Sequence, residues 1–203
     1  MKLYSSSNVA VCLIVGLALS PLTVLAQGTT TYSGQATALK ATALGISITL
    51  ADTGPLPSTG GSITRDLPSI NVAGLIVATA LHSATSGSGN SSQSSTHLAS
   101  LSILSLVKAT GVSTSTTATC NGSTASTSGD TQFVSLTVAG QQIVNANPNT
   151  AISLPGGIAV IINEQTSSGN GGNTAQTTVN AVHITAPGVD LVVGSSHSDI
   201  TCP

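Results

Sequence analysis

The sequence predicts an all-β protein: a single antiparallel β-sandwich or partly closed barrel behind an N-terminal signal peptide. Three observations carry this reading. Apolar residues recur at every second position in one segment after another, as in strands with one buried face. Clusters of Gly and Asn separate those segments, and these residues supply the positive φ of tight hairpins. No segment after residue 26 carries the rhythm of an amphipathic helix.

The chain opens with Lys2, an apolar run over residues 9–19, and Val24-Leu25-Ala26 before Gln27. A cationic start, an apolar middle and a small-residue cleavage site are the anatomy of a secretory signal peptide. Residues 1–26 are therefore read as signal and 27–203 as one β domain. Cys12 lies in the apolar run, but Val11 precedes it where lipid attachment wants a small residue, so cleavage after Ala26 is expected instead.

The first clear strand is Gly45-Ile46-Ser47-Ile48-Thr49-Leu50. Gly54-Pro55-Leu56-Pro57 reads as a loop, and so does the stretch 60–68 with Arg65. Residues 70–83 and 95–107 read as strands joined through Ser86-Gly87-Ser88-Gly89-Asn90. Alternation over 98–106 slips at Ile103-Leu104, which predicts a bulge there. Ser113-Thr114-Ser115-Thr116-Thr117-Ala118-Thr119 reads as a strand with two polar faces at a sheet edge, with a linker as the other reading. Asn121-Gly122, Ser128-Gly129-Asp130 and Ala139-Gly140 read as turns around a strand at 133–138. The prolines between 148 and 157 mark loops and strand edges. Residues 158–165 and 176–185 flank the Gly/Asn loop 168–173, and 189–196 follows. The core is aliphatic, with Phe133 as its single large apolar ring.

Composition narrows the function classes. Only 5% of the residues are charged and the net charge is −2, against about 25% charged residues in ordinary domains. Roughly three residues in ten are Ser or Thr. Beyond residue 26 the cations are Lys40, Arg65 and Lys108, too few and too scattered for a nucleic-acid surface or for adsorption to anionic lipid. The mean hydropathy of +0.39 argues against disorder. The apolar runs after the signal are short, so the mature form is not expected to span a membrane as a helix.

Cys120 and Cys202 remain after signal removal. An even count in an exported chain favours a disulfide between them. Closing that loop stabilises by about 4 kcal/mol in the chain-entropy model. Two free thiols, or a metal site, are the other readings.

No catalytic residue and no cofactor is expected. There is no G-x-S-x-G elbow and no H-E-x-x-H. Ser195 or Ser196 with His197 and Asp199 would make a Ser–His–Asp set, but a solvated C-terminal segment explains them as well. His82 and His97 face each other across the hairpin at Gly87, either as a weak metal pair or as a cross-strand polar pair. Glu164 is the only glutamate, and the aspartates fall mostly at expected turns, so facing carboxylates are not expected. The polar run Asn163-Glu164-Gln165 is the one candidate motif, or else a polar strand end closing the loop at Gly169. Thr114, Thr116 and Thr119 raise the idea of a flat Thr array that meets ice.

One block has a wider likeness. Leu154-Pro155-Gly156-Gly157, Val160-Ile161-Ile162, Asn163-Glu164-Gln165, the Gly/Asn loop, Thr178-Val179-Asn180-Ala181-Val182-His183-Ile184 and Val189-Asp190-Leu191-Val192-Val193-Gly194-Ser195-Ser196 follow in order. With Thr119-Cys120 and Gly45-Ile46, this resembles the bacterial choice-of-anchor P family of exported surface proteins, over most of residues 32–202. The resemblance implies an extracellular β domain and supplies no catalytic residues. The chain stops at Pro203 without a sorting motif or a terminal apolar helix, so a secreted or loosely cell-surface-associated protein is expected. The reading that follows is an exported, non-enzymatic structural or adhesive surface or matrix module with an extracellular or cell-envelope partner. A glycan- or ice-binding domain is the alternative, and a hydrolase the third reading.

Overall fold

The computed structural model describes residues 28–43, 45–104 and 106–203; the expected signal segment, the expected cleavage site after Ala26 and Cys12 lie outside these. Among the described residues thirteen strands follow in order: β1 Thr31–Ala43, β2 Ile46–Asp52, β3 Gly61–Val72, β4 Ile76–Ser88, β5 Ser91–Ile103, β6 Val107–Asn121, β7 Thr124–Gln132, β8 Ser135–Val138, β9 Gln141–Gln142, β10 Thr150–Leu154, β11 Ile158–Ser168, β12 Thr174–Ala186 and β13 Val189–Thr201. They form two antiparallel sheets packed face to face. The six-stranded sheet runs β10-β11-β12-β13-β1-β2, and the seven-stranded sheet runs β3-β4-β5-β6-β8-β9 with β7 also paired to β6. Neither sheet closes on itself, so of the two expected architectures the sandwich is the one observed.

Several segments differ from the sequence reading. The stretch 60–68 is not a loop: Arg65 and Pro68 sit in β3, an edge strand where a proline lacking N–H is tolerated. The expected strand 70–83 is a hairpin broken at Ala73-Gly74-Leu75. Ser128-Gly129-Asp130 is inside β7 and not a turn. Phe133 precedes β8 and packs only partly buried against the core. Ser113–Thr119 belongs to β6, which is an inner strand paired to β5 on one side and to β7 and β8 on the other. Asp66, Asp130, Asp190 and Asp199 lie in strands, not at turns.

The expected bulge at Ile103-Leu104 is a hairpin link instead, since β5 ends at Ile103 and β6 starts at Val107. The phase of alternation does slip, but elsewhere and in every long strand at once. In the six-stranded sheet two successive residues turn inward: Ala38 and Leu39, Ala181 and Val182, Ile162 and Asn163. In the seven-stranded sheet two successive residues turn outward, as at Ala99 and Ser100 between buried Leu98 and Leu101. Left-handed backbone occurs in alternate strands of this row, at Ala51 (φ 46°), Gly194 (φ 61°) and Asn163 (φ 52°) in one sheet and at Ala80 (φ 49°) and Gly111 (φ 54°) in the other. The pairing register is the same on both sides, for example Thr37↔Ser195 and then Leu39↔Val193. All strands slip together, so none gains a residue on its neighbour, and the result is a transverse crease.

The crease divides the interior. On one side lies an aliphatic core that includes Leu39, Leu81, Leu98, Val112, Leu136, Ile162 and Val182. On the other side the facing residues are hydroxyls: Thr85, Ser92, Ser94, Thr96, Thr114, Thr116, Ser196 and Ser198 are all buried. They bond from sheet to sheet, Thr114 Oγ1 with Ser196 Oγ at 2.6 Å and Thr116 Oγ1 with Ser198 Oγ at 2.8 Å. Ser94 Oγ donates to the His197 carbonyl at 2.6 Å. Such short side chains meet only if the sheets approach more closely than the ~10 Å of an aliphatic sandwich. Gly34 records that closeness, because a Cβ there would lie 2.6 Å from Thr85 Oγ1. At the far end of this half the expected disulfide joins Cys120, on β6 of one sheet, to Cys202, just after β13 of the other, with a Cα–Cα distance of 5.6 Å. Ala118, Ala125, Ala175 and Ile200 pack around it.

Candidate functional site

On the outer face of the six-stranded sheet the crease leaves a furrow, because its row of residues points inward. One bank is the ladder row Asp52, Thr37, Ser195, Asn180 and Glu164; the other is Thr49, Lys40, Val192, His183 and Ile161. Together with Gln35, Thr178 and His197, members of both rows line a shallow depression of about 320 Å³. A larger depression of about 530 Å³ lies between residues 131–136 and 142–147, with no ionisable group in its lining.

At one end of the furrow the β11–β12 hairpin sets Glu164 directly opposite Asn180. Asn180 Nδ2 donates to Glu164 Oε2 at 2.6 Å. His183 lies between two carboxylates: Nδ1 is 3.0 Å from Glu164 Oε2, and Nε2 is 3.1 Å from Asp190 Oδ2. Burial alone would lower the His183 pKa. Hydrogen bonds to Asp190 and Glu164, and the charge of both, outweigh burial and hold it above its ordinary value. When protonated, His183 donates from both ring nitrogens, and with two ionised carboxylates the triad then carries a net charge of −1. The two carboxylates sit at opposite edges of the ring and do not converge on a point. Among the described residues no group of three or more His, Cys, Asp or Glu is arranged to hold a metal ion.

At the other end Asp52 is held by its neighbours. Burial would raise its pKa, but Gln35 Nε2 at 2.8 Å, the Gly54 amide at 3.1 Å and Thr37 Oγ1 at 2.9 Å donate to it, and Lys40 is near, so it ends below the usual carboxylate range. Asp199, on the same outer face, is pushed up by burial, with His197 opposing.

Asn163 and Gln165 do not close the loop at Gly169, because both lie mid-strand in β11. Asn163 Nδ2 donates to the Ala146 carbonyl and Gln165 Nε2 donates to Asn163 Oδ1. The Gln165 amide donates to Asn149 Oδ1. These two residues anchor the link before β10, while Glu164 turns outward into the furrow. Ser196 is buried on Thr114, whereas Ser195 and His197 share the furrow with Asp199 on the same face; His197 Nδ1 bonds Thr178 at 2.9 Å, and neither Ser195 nor Asp199 is hydrogen-bonded to the ring. That segment is strand β13, not a solvated tail. His82 and His97 pair across β4 and β5 as expected, and His82 Nδ1 bonds Asp66 Oδ1 at 2.6 Å. Thr114 and Thr116 face inward while Thr119 faces out beside Ser126, so the three Thr form no common face.

Sequence reasoning missed Asn180, His183, Asp190 and Asp52. Counting back from the loop 168–173 would pair Glu164 with Thr177; the observed partner is Asn180, because the ladder closes at Ser168↔Gln176. No family model, curated protein or solved structure matches this chain.

Proposed function

We propose that this chain is an exported, non-enzymatic structural or adhesive module of a cell surface or extracellular matrix, cleaved after Ala26. The observation that carries the reading is the placement of His183. Its two ring nitrogens lie within hydrogen-bond distance of Glu164 and Asp190, which directs neither nitrogen at a hydroxyl nucleophile. A disulfide, a hydroxyl-zipped interior and an outer surface of Ser, Thr, Asn and Gln support service outside the cell. The resemblance to choice-of-anchor P surface proteins points the same way.

The test is expression in a bacterial host that exports the chain. Protein recovered outside the cell is expected to begin at Gln27 and to partition between medium and cell surface. A Glu164→Gln variant is expected to partition in the same way. A hydrolytic activity that Glu164→Gln abolishes while folding is retained would overturn the reading, and so would recovery of the chain inside the cell with Met1 intact.

A second reading, glycan binding, has its own observation. The shallow depression of the furrow is lined by Gln35, Thr37, Asn180, Ser195 and His197, side chains that hydrogen-bond sugar hydroxyls. Retention on a neutral polysaccharide column that Asn180→Ala abolishes would favour it, and passage of the parent protein without delay would exclude it.

A further inference from the structure

The long axis of the sandwich is chemically polarised. Beyond the hydroxyl half, the links 89–90, 122–123 and 169–173 consist of Gly, Asn and Ser. Beyond the aliphatic half, the described residues of the hairpin links, 45, 73–75, 104, 106, 139–140, 155–157 and 187–188, consist of Leu, Ala, Gly and Pro. Loop tips normally carry polar residues into water. Here the described residues of the six hairpin links at one end are free of charge, and four apolar residues on or beside them are open: Ile46 is 71% exposed, Leu104 61%, Leu75 50% and Val189 39%, with Gln141 and Asp190 among the polar residues nearest the links.

These side chains share one surface. Ile46 pairs with Ala43, which pairs with Val189 in the neighbouring ladder. In the facing sheet the Leu104 amide donates to the Leu75 carbonyl at 2.7 Å, and the Ala139 amide donates to the Leu106 carbonyl at 2.7 Å.

We propose that this end of the protein docks into the acyl layer of an uncharged lipid surface, with the hairpin tips inserted and the hydroxyl half left in water. The tips themselves carry no charge, and insertion stops short of Asp190, which follows Val189 and is half exposed beside His183; the driving force is the apolar area of the tips, as for shallow interfacial anchors. The shortage of cations removes any need for anionic lipid. A fluid layer closes around six separate tips, whereas a second copy presents the same projecting tips and not a groove to receive them.

The test places a reporter at each end of the full chain. In a Cys12→Ser background, Leu104→Cys or Ser88→Cys is labelled with an environment-sensitive fluorophore and mixed with phosphatidylcholine vesicles. The label at 104 is expected to shift to the blue and lose access to iodide, at low and high salt alike, while the label at 88 stays in water. Gly28 lies against Pro203 at the hydroxyl end, so anchoring through residues 1–26 would protect the label at 88 first and would overturn the proposal. Ile46→Ser with Leu75→Ser is expected to weaken vesicle partition about tenfold or more with unchanged melting. Val134→Ser, 83% exposed but away from this end, is expected to leave partition unchanged, and an equal loss there would overturn the proposal. Protection of the label at 104 that grows with protein concentration in the absence of lipid would assign the surface to a second copy instead.

Discussion

Thr114 Oγ1 and Ser196 Oγ meet at 2.6 Å across the space between the two sheets, 82 residues apart in the chain. Thr114 Oγ1 also bonds Thr96 Oγ1 at 2.7 Å on the neighbouring strand. A buried hydroxyl that loses its partner keeps its desolvation cost, about 1–3 kcal/mol, whereas removal of both partners is far less harmful. Thr114→Val preserves shape and strands Ser196. It is expected to destabilise by about 1–3 kcal/mol, and the double variant with Ser196→Ala by less than the sum of the two singles. Urea unfolding of the four species checks this. Strict additivity would show that the contact contributes nothing.

The Cys120–Cys202 bond joins the two sheets at the end where their packing is polar. Cys202→Ala is expected to lower stability by roughly 2–5 kcal/mol. Alkylation of the denatured, unreduced protein is expected to leave both cysteines unlabelled. Quantitative labelling of both would show that the bond does not form.

His183 makes stability depend on pH. Its folded pKa lies above the ordinary 6.5. A raised histidine contributes stability that is fully present below its unfolded pKa and is lost as pH rises through the folded value. Melting temperature is therefore expected to fall as pH rises from the ordinary histidine value through the higher folded one, by an amount that His183→Gln removes. Glu164→Gln is expected to lower the His183 titration midpoint followed by NMR. A midpoint that does not move would break the link between Glu164 and His183.

Native protein is expected to resist trypsin at Lys40, Arg65 and Lys108. All three lie in strands, β1, β3 and β6, and Arg65 is the most open to attack because β3 has a partner on one side only. A nick there is expected to leave both fragments associated through the β3–β4 ladder. The disulfide would not hold them, since both cysteines lie after Arg65. Fast native cleavage at Lys40 and Lys108 would be incompatible with β1 and β6 as ordered inner strands.

The sequence by itself determined that the domain is all-β and antiparallel, because alternation and Gly/Asn turns are local signals. The segment 179–185 and the loop 168–173 fall in the structure where their pattern puts them. The even cysteine count likewise led to the observed pairing. Tertiary structure alone decided which way the hydroxyl strands face. Ser113–Thr119 offers the same chemistry on both faces, so alternation cannot tell inside from outside until Ser196 and Ser198 arrive opposite Thr114 and Thr116. The crease was equally hidden in the sequence. A phase slip in one strand reads as a local irregularity, such as Leu98 to Leu101, and its meaning comes from the same slip in every neighbour, with left-handed residues at Ala51, Asn163 and Gly194. The furrow and its Glu164–His183–Asp190 triad follow from that shared row: which side chains meet across a sheet depends on pairing and facing together, and facing here is a property of the whole sheet and not of any one strand.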